Sequence, residues 1–571
     1  MSAFRCVLRT RALLRFARTA RAVVLVLTGV VLGEAFAASA AFAKLPFPTP
    51  FVQAEADAVR LLEQATFGPN DASITHVMDM GATLWVEQQL SMPPTRYTAF
   101  APWPATRPDT CVNDSTLPLT PTSYCQRDNY TLFQLQREFF LNALTAPDQL
   151  RQRVAFALSQ ILVTSGTEIS LAYAMQRYQA ILSDLAFGNF RDLLTQVTLS
   201  PAMGRYLDMV NNLKPNLTTG VEPNENYARE FLQLFSLGTV ELGLDGTPLL
   251  DSYGKTIPSY SQEDVEGFAH VFTGWTYPLA PGATARNLNP TYYDGAMNER
   301  SQYHDYSAKT LIDGGAPANL TMSADLANAI NVVFNHPNVG PFISKQLIQK
   351  LVTGNPSPEY VARVAAVFND NGAGVRGDLR SVVRAILLDF EARGIAKDDP
   401  GYGRLREPAQ FVVALARALN TSSDGVFLRA QANAMSQPVF NAPSVFNFYP
   451  PDYVVPGTSI LGPEFALQNT TTAFARINYV NSLVYSTINP DQTVYGATGT
   501  QPNWSALTAL AGNPQALVDK LNRLLLHGTM STAAQSAVVT AINAVSATDA
   551  LGRAKAAFYL VATSSQYQVE R

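Results

Sequence analysis

The sequence predicts a mainly α-helical protein, with one large domain of many packed helices and long irregular loops, and a small helical subdomain at the C-terminus. Hydrophobic residues make up 47% of the 571 residues and charged residues only 15%, which is enough apolar material for a sizeable core. Apolar residues recur at helical spacing, whereas the alternation typical of strands is scarce. Most connections are short and contain Gly, Pro or Asn, as is usual between consecutive packed helices.

The N-terminal segment has the three parts of a secretory signal peptide. Six arginines between Arg5 and Arg21 precede an apolar run at 23–32, and the small residues Ala-Phe-Ala at 41–43 suit cleavage. The apolar run is shorter than the roughly 20 residues that span a bilayer. We therefore expect Sec-type export to the periplasm or the extracellular space and removal of residues 1–43, which leaves no integral membrane segment. Retention of the segment as an anchor is the alternative.

Charge argues against some classes of partner. Removal of residues 1–43 takes away six arginines and one glutamate, which changes the net charge from −4 to −9. An acidic surface without basic clusters is a poor partner for phosphate backbones and anionic membrane surfaces. We therefore expect no binding to nucleic acid.

Nine segments carry the apolar pattern of buried helices. They lie at 54–62, 132–144, 150–163, 171–185, 338–351, 360–368, 379–390, 408–419 and 465–484. We assign residues 44–490 to the large domain. The alanine-rich residues 500–571 are assigned to the C-terminal subdomain.

Three irregular stretches interrupt the helical pattern. Residues 93–129 and 277–320 are long and rich in aromatic side chains, and long loops inside a compact domain are often functional, so we expect them at the rims of a cleft. Residues 443–453 contain three prolines that preclude a helix. We expect this last stretch to lie across the helical body.

The first irregular stretch also contains the two cysteines that remain after export. An oxidising compartment would join Cys111 and Cys125 in a disulfide. Closing so short a loop contributes about 3 kcal/mol in the chain-entropy model. Metal ligation by the pair is the alternative, but no nearby histidine completes a site.

Two segments, 223–238 and 261–275, combine ionisable and aromatic side chains more densely than the rest of the chain. In the first, helical spacing directs Tyr227 and Phe231 to the core and leaves Glu230 at the edge of the buried stripe. A carboxylate there must be paired or hydrogen-bonded, or its pKa must rise, and a raised pKa suits a general acid. The structural alternative is an ion pair with an arginine from another helix.

The second segment begins with Ser261 and Asp264 at the spacing of a capping box. Glu263, Glu266 and His270 share one polar face of the predicted helix. These three groups could bind a divalent metal, but their spacing matches neither a zinc-protease helix nor a di-iron bundle. We expect no cofactor or metal, with a divalent ion on this face as the alternative.

Several motifs together resemble the domain-of-unknown-function 1800 family. In chain order they are Arg60-Leu61-Leu62, Asn-Glu-Asn-Tyr-Ala-Arg-Glu at 224–230, Phe-Thr-Gly-Trp at 272–275, His304-Asp305 with Lys309, Phe342-Ile343-Ser344-Lys345-Gln346-Leu347, Arg406-Glu407-Pro408 and Pro463-Glu464-Phe465. The resemblance covers roughly residues 54–485. The family more often has an arginine before Phe-Thr-Gly-Trp, where this chain has His270-Val271. The resemblance implies a bacterial exported protein, often encoded beside a second exported family, numbered 1501 and related to sulfatases, and it implies no established activity.

The sequence contains none of the common motifs of serine hydrolases, phosphate-binding loops, dinucleotide-binding turns or zinc proteases. Carboxylate chemistry in an aromatic cleft remains, and it suits a carbohydrate-acting hydrolase whose substrate is a surface polysaccharide. The candidate catalytic residues are Glu225, Glu230, Asp264, His304 and Asp305, with a glutamate as the acid and an aspartate as the base. The candidate substrate-binding residues are Asn224, Asn226, Tyr227, Arg229, His270 and Trp275.

The alternative function is non-enzymatic. An exported helical scaffold could bind a surface polymer or the companion protein of the 1501 family and assist its assembly or activity. The block at 224–230 would then be a structural centre in which Glu and Arg side chains join helices around a polar core. An accessible Glu230 near a second carboxylate favours hydrolysis, whereas a Glu230 saturated by arginines favours the scaffold.

Overall fold

Helices account for about half of the protein in its computed structural model, which describes residues 55–116, 118–312, 314–399 and 401–571. Within these residues the strands form four short antiparallel pairs. The mainly α-helical class is therefore confirmed. The predicted signal peptide, residues 1–43, lies outside the described residues.

The helices follow one another along the whole described chain. In order they are α1 Glu55–Ala65, α2 Asp71–Met80, α3 Ala82–Ser91, α4 Cys125–Asn129, α5 Phe133–Thr145, α6 Gln149–Ser159, α7 Ala172–Asp184, α8 Phe190–Leu199, α9 Pro201–Tyr206, α10 Asn226–Gln233, α11 Gln262–Val271, α12 Met322–Asn335, α13 Val339–Leu351, α14 Pro358–Asn369, α15 Leu379–Leu388, α16 Phe390–Arg393, α17 Pro408–Ala418, α18 Val426–Ala434, α19 Thr470–Tyr485, α20 Ser505–Thr508, α21 Pro514–Leu526, α22 Thr532–Ala544, α23 Ala550–Ala562 and α24 Ser565–Gln568.

The strands contain only two or three residues each. The pairs are β1 Trp275–Thr276 with β2 Asn298–Glu299, β3 Lys309–Leu311 with β4 Gly314–Ala316, β5 Arg404–Leu405 with β8 Val569–Glu570, and β6 Ser422–Ser423 with β7 Thr500–Gln501. Short 3-10 turns occupy Ser301–Tyr303, Ile395–Asp398 and Pro463–Leu467.

Each of the nine predicted segments coincides with a helix to within a few residues, apart from the last. That helix, α19, begins only at Thr470, because Pro463–Leu467 forms a separate 3-10 turn and Asn469 then caps the helix. The long helix α12 lies outside the predicted segments. Its start is nevertheless marked in the sequence, since the side chain of Thr321 caps it by accepting from the amide of Ala324.

One continuous hydrophobic cluster runs through the molecule. The helices α13, α14 and α15 pack in succession, and α10 packs on α11. Helix α11 lies so close to β3 that a Cβ added at Gly267 would be 1.7 Å from the carbonyl oxygen of Thr310. The absence of a side chain at Gly267 therefore permits this approach.

The C-terminal helices α21, α22 and α23 pack on one another and also contact α1 and α19. The predicted domain boundary at 490–500 follows α19 in an irregular segment. Beyond the last helix, β8 pairs with β5, so the end of the chain is hydrogen-bonded to a strand of the large domain. The described residues form one compact unit by their contacts.

Two of the irregular stretches contain short elements, namely α4 at the end of residues 93–129, and β2, β3, β4 and a 3-10 turn within residues 277–320. Cys111 and Cys125 are joined in a disulfide, which confirms that prediction. The stretch at 443–453 contains no helix or strand. None of the helices among the described residues combines the length and the apolar character needed to cross a bilayer.

Candidate functional site

Helix α10 carries the first predicted site block. Tyr227 and Phe231 are buried as predicted, and the Tyr227 hydroxyl contacts Thr198 Oγ1 at 2.7 Å. Burial raises the pKa of the Tyr227 phenol. Tyr227 is therefore inside the core, where it fixes α10 against α8 rather than facing a substrate.

The polar side chains at the start of α10 are engaged locally. Asn224 Oδ1 accepts from the amide of Asn226 at 2.8 Å, and Asn226 Nδ2 donates to Asp208 at 3.3 Å. Glu225 accepts from Arg229 at 2.6 Å, one turn further along the helix. The guanidinium of Arg229 also donates to Gln262 at 3.1 Å, which connects α10 to the start of α11.

Glu230 is half-buried, and its Oε2 has no hydrogen-bond partner among the described residues. Burial raises the pKa of its carboxyl, against the opposing charge of Arg229. Glu230 also contributes, after burial and Glu168, to the rise of the pKa of Tyr206 to about 12. Since the guanidinium of Arg229 is directed to Glu225, Glu230 is not saturated by arginines.

The capping box at the start of α11 is present. Asp264 Oδ2 accepts from the amide of Ser261 at 2.7 Å, and the amide of Asp264 donates to Ser261 Oγ at 3.2 Å. On the same helix, Glu263 accepts from the hydroxyl of Thr310, and Glu266 accepts from Gln262. The three acidic side chains thus have local partners.

His270 and Asp305 come together across the loop that follows α11. His270 Nδ1 contacts Asp305 Oδ2, and the amide of Asp305 donates to Thr273 Oγ1 at 2.9 Å. Burial favours a higher pKa for the Asp305 carboxyl, but its hydrogen bonds to His270 and Ser307 outweigh this effect and lower that pKa. A carboxylate with a lowered pKa is a poor proton acceptor at neutral pH.

His304 is completely buried. Its Nδ1 lies 3.0 Å from the carbonyl oxygen of Thr273, and its Nε2 lies 3.3 Å from Asp325. Asp325 also pairs with Lys309 at 2.7 Å. The His304 ring is therefore enclosed by protein groups, and this conformation offers no path from it to a substrate.

Trp275 lies in β1 with only 4% of its surface exposed, and its indole N–H has no partner among the described residues. It borders a groove of about 690 Å³ with Leu199, Met297 and Arg300. Most of the indole ring is covered, so it presents no open face for stacking.

A pocket that begins one turn beyond Glu230 has the features of a binding site. It is a pocket of about 450 Å³ between the end of α10, the residues that follow it, helix α13 and the extended stretch at 445–452. Pockets of this size suit a small molecule or one or two units of a polymer. The predicted block thus reaches the pocket through its C-terminal residues Gln233, Leu234, Leu237 and Gly238.

Helix α13 supplies one wall of this pocket from a single face. The five side chains occur at helical spacing: Phe342, Lys345, Gln346, Gln349 and Lys350. The turn that follows α10 lies close to this face of α13. A Cβ added at Gly238, where φ is +75°, would be 2.9 Å from the ring of Phe342. A glycine therefore allows the turn after α10 to approach the aromatic ring.

Two amide groups in the pocket have unused hydrogen-bonding capacity. Gln346 Nε2 and Gln349 Oε1 are buried, and neither has a hydrogen-bond partner among the described residues. Gln349 is held in place by its other amide atom, which donates to Gly354 O at 3.1 Å and Pro451 O at 2.9 Å. Leaving a buried polar atom unpaired costs about 1–3 kcal/mol, and a bound polar ligand would relieve that cost only after the side chain turns toward the pocket, because protein atoms cover both amide atoms here.

Lys350 is one of the residues that line the pocket, and 4% of its surface is exposed. Its Nζ is 3.9 Å from the centroid of the Tyr449 ring and 3.2 Å from Gln160 Oε1. Burial lowers the pKa of Lys350 to about 8, against the opposing charges of Glu464 and Glu407. The side chain is therefore mostly a cation at pH 7, and it becomes mostly a neutral amine as the pH rises above about 8.

Lys345 is a second cation on the same wall. Burial lowers the pKa of its ammonium group, and the nearby charge of Asp452 opposes that shift. Phe446, which is 51% exposed, and the partly buried Phe342 add aromatic surface. The pocket therefore combines two cationic groups, two unsatisfied amide atoms and aromatic side chains.

A buried network of hydrogen bonds and ion pairs holds the floor of the pocket in position. The hydroxyl of Tyr449 contacts Gln160 Oε1 at 2.8 Å and Glu407 Oε2 at 3.0 Å. Glu407 also accepts from Gln437 at 2.7 Å and pairs with Arg153 at 3.4 Å. Burial alone would raise the pKa of Glu407, but Arg153, Arg404 and Lys350 outweigh it and lower that pKa. A network satisfied in this way makes the floor of the pocket rigid.

This pocket is not among the sites that the sequence predicts. The recurrence of polar residues with helical spacing at positions 345, 346, 349 and 350, inside an otherwise apolar helix, is the signal that could have located it. Helix α13 is buried on nearly all sides, so a polar stripe on it must face either a polar network or a cavity. Among the described residues no group of three or more His, Cys, Asp or Glu side chains is arranged to hold a metal ion.

Comparison with known proteins gives one match. The model of a family described as "Protein of unknown function (DUF1800)" matches residues 60–569. No curated protein and no solved structure matches the chain.

Proposed function

This chain belongs to the DUF1800 family of proteins of unknown function, and from that membership and the pocket at Lys350 we propose that it is an exported carbohydrate-binding protein. In this proposal the pocket holds an acidic sugar unit of a surface polysaccharide. Three motifs that carry the family resemblance support the pocket as the functional centre. Phe342, Lys345 and Gln346 line it, while Glu407 and Glu464 lie in the network behind it.

The observation that carries the proposal is the pair of unpaired amide atoms, Gln346 Nε2 and Gln349 Oε1. One is a donor and the other an acceptor, so together they complement a group that both accepts and donates hydrogen bonds. Sugar hydroxyls have both capacities. An apolar ligand would leave both atoms unpaired and is therefore disfavoured.

The two lysines favour an anionic group on the sugar. Lys345 and Lys350 lie on the same face of α13 as the amides, and partial burial strengthens their attraction for a carboxylate. The rings of Phe342 and Phe446 offer apolar surface of the kind that packs against the carbon–hydrogen face of a sugar. A hexuronate unit fits this combination of charges, amides and rings.

Export is part of the proposal. The signal-peptide pattern of residues 1–43 and the Cys111–Cys125 disulfide both suit an oxidising compartment outside the cytoplasm. A surface polysaccharide would be within reach there.

The binding test uses the mature chain and titration calorimetry with uronic-acid oligomers and neutral oligomers of the same length. We expect binding of the acidic oligomers, and a loss of affinity of about tenfold or more in Gln346→Met, which removes a donor to the anionic ligand. The exposed Gln492→Met is the matched control and should bind like the unmodified protein. Equal affinity for acidic and neutral oligomers would contradict the proposal.

Carbohydrate hydrolysis at Glu230 is the second candidate function. The unpaired Oε2 of Glu230 and its raised pKa are what a general acid requires. The test follows new reducing ends on the same oligomers. Release that Glu230→Gln abolishes, without a change in binding at the pocket, would assign hydrolysis to this carboxylate.

Binding without any cleavage would favour the non-enzymatic alternative. In that case the protein would hold the polymer for a partner, and the companion exported protein of the 1501 family is the partner proposed. Co-purification of the two proteins in the presence of the bound oligomer, and its loss in Gln346→Met, would support that arrangement.

A further inference from the structure

The positions of Lys350, Lys345 and Gln346 in one pocket carry a further inference. We propose that Lys350 is a catalytic base that cleaves a uronate-containing polysaccharide by β-elimination. This inference rests on the proposed binding of an acidic sugar in the same pocket. It adds a reaction that needs no metal, no cofactor and no water.

The reaction requires a base near the hydrogen on C5 of the uronate and cations or donors around its carboxylate. Lys350 and Gln346 are separated by one turn of α13, so their side chains emerge on the same face about 5–6 Å apart. Lys345 lies beside Gln346 on that wall. Once the Gln346 amide, whose Nε2 is covered by protein here, turns into the pocket, a carboxylate bound by it and by Lys345 would lie close to the amine of Lys350.

The neutral amine of Lys350 takes the proton from C5, and the electrons of the C5–H bond form the C4=C5 double bond. The bond between C4 and the glycosidic oxygen breaks, and that oxygen takes the electron pair. The ammonium group of Lys350 then donates its new proton to the departing oxygen. Gln346 and Lys345 stabilise the negative charge that develops on the carboxylate during proton removal.

The lining of the pocket favours elimination over hydrolysis. Hydrolysis uses two carboxyl groups on either side of the bond, and Asp452 is the one carboxylate among the described residues of the lining. A lysine whose pKa is lowered to about 8, and which is therefore about half neutral near that pH, is by contrast a competent base. Its contacts with Gln160 and the Tyr449 ring orient the amine without supplying a counter-ion in direct contact.

The test mixes the full mature protein with soluble uronic-acid polymers and follows the ultraviolet absorption of the conjugated double bond. The same reaction is run in water labelled with heavy oxygen. Elimination gives an unsaturated product that is lighter by one water molecule than the hydrolysis product, and it takes up no oxygen from the solvent. We expect this product from the unmodified protein, at a rate that rises with pH through about 8.

Lys350→Met keeps a flexible side chain of similar length, removes the base together with its cation–π contact with Tyr449, and is expected to lower the rate by about 10²–10⁴-fold. The exposed Lys255→Met is the matched control and should retain the rate. Folding of both variants is checked by thermal unfolding.

The outcomes separate the two proposals. Binding of the acidic oligomers without an unsaturated product overturns the elimination, and an unchanged rate in Lys350→Met overturns the assignment of Lys350 as its base. Both results leave the binding function standing. A lack of binding to any acidic oligomer overturns both. An oxygen taken from the solvent would assign the cleavage to hydrolysis instead. The product test uses the unmodified protein, so it distinguishes elimination from hydrolysis even if Lys350→Met does not fold.

Discussion

At the scale of single residues, 25 buried side-chain atoms among the described residues lack a hydrogen-bond partner, and three of them belong to the two candidate sites. Gln346 and Gln349 each carry an unpaired amide atom, and Glu230 carries an unpaired carboxylate oxygen. Such groups reduce the stability of the folded state, and they are more informative about function than the well-paired charges nearby. Asp264, by contrast, was a candidate base from the sequence, and its carboxylate closes a helix cap.

Replacing Gln346 by Met should separate stability from binding. The substitution removes an unpaired buried donor and retains a flexible side chain of similar size, so we expect the free energy of unfolding to rise by about 1 kcal/mol. Affinity for the acidic ligand should fall at the same time. Urea denaturation and calorimetry measure the two effects, and a loss of both stability and binding would indicate a structural role for Gln346.

Replacing Glu230 by Gln should change stability in a pH-dependent manner. Burial raises the pKa of Glu230 in the folded protein, so the folded state binds the proton more tightly than the unfolded chain does. The contribution of the neutral carboxyl is fully present below the unfolded pKa, about 4.3, and it is lost as the pH rises through the folded value.

We therefore expect Glu230→Gln to be more stable than the unmodified protein at pH 7, by less than about 1 kcal/mol because water screens a half-exposed carboxyl. The difference should vanish below about pH 4. Thermal unfolding at both pH values measures it. A variant that is several degrees less stable at pH 7 would show that Glu230 has a structural ion pair.

At the scale of elements, local sequence signals fix where helices begin, and contacts between distant segments fix what they face. Ser261, Asn469 and Thr321 each cap a helix through a side chain in the manner that their sequence positions predict. The long stretch before α5 has few such signals. Its one covalent constraint is the disulfide.

Replacing Cys111 and Cys125 by Ser should reduce the free energy of unfolding by about 3 kcal/mol, because the bond closes a short loop of the unfolded chain. Urea denaturation measures the loss. A reducing agent should bring the unmodified protein to the stability of the variant and leave the variant unchanged. If the variant matches the oxidised protein, the disulfide makes no net contribution to stability.

At the scale of the whole molecule, buried ion pairs connect segments that are far apart in sequence. Arg404 lies 3.2 Å from Glu570 and 3.4 Å from Glu464, and Arg406 pairs with Glu63 at 2.6 Å. These pairs join the first helix, the middle of the chain and the last strand. They also form the rear of the network that supports Lys350.

Replacing Glu570 by Gln should test this connection. The change leaves the buried guanidinium of Arg404 with one carboxylate partner fewer, and losing one member of a buried pair costs about 3–5 kcal/mol. Differential scanning calorimetry should show a clear fall in the melting temperature. The exposed Glu222→Gln is the control and should change it little. Equal melting temperatures for the two variants would mean that the C-terminal strand is held by its backbone pairing alone.

The sequence by itself determined the helical class, most helix positions, the disulfide and the family, because these depend on spacing, caps and short motifs that are local in the chain. It also directed attention to Glu230. The sequence predicted either a raised pKa or an ion pair for this carboxyl, and the structure has the raised pKa. Only the tertiary structure decided where the binding pocket lies. The burial of Lys350 and the unpaired state of Gln346 and Gln349 depend on walls contributed by residues 233–248 and 445–452, about 100 residues away on either side. A polar side chain is left unpaired there because the packing removes water without supplying a partner, and no local pattern can specify that.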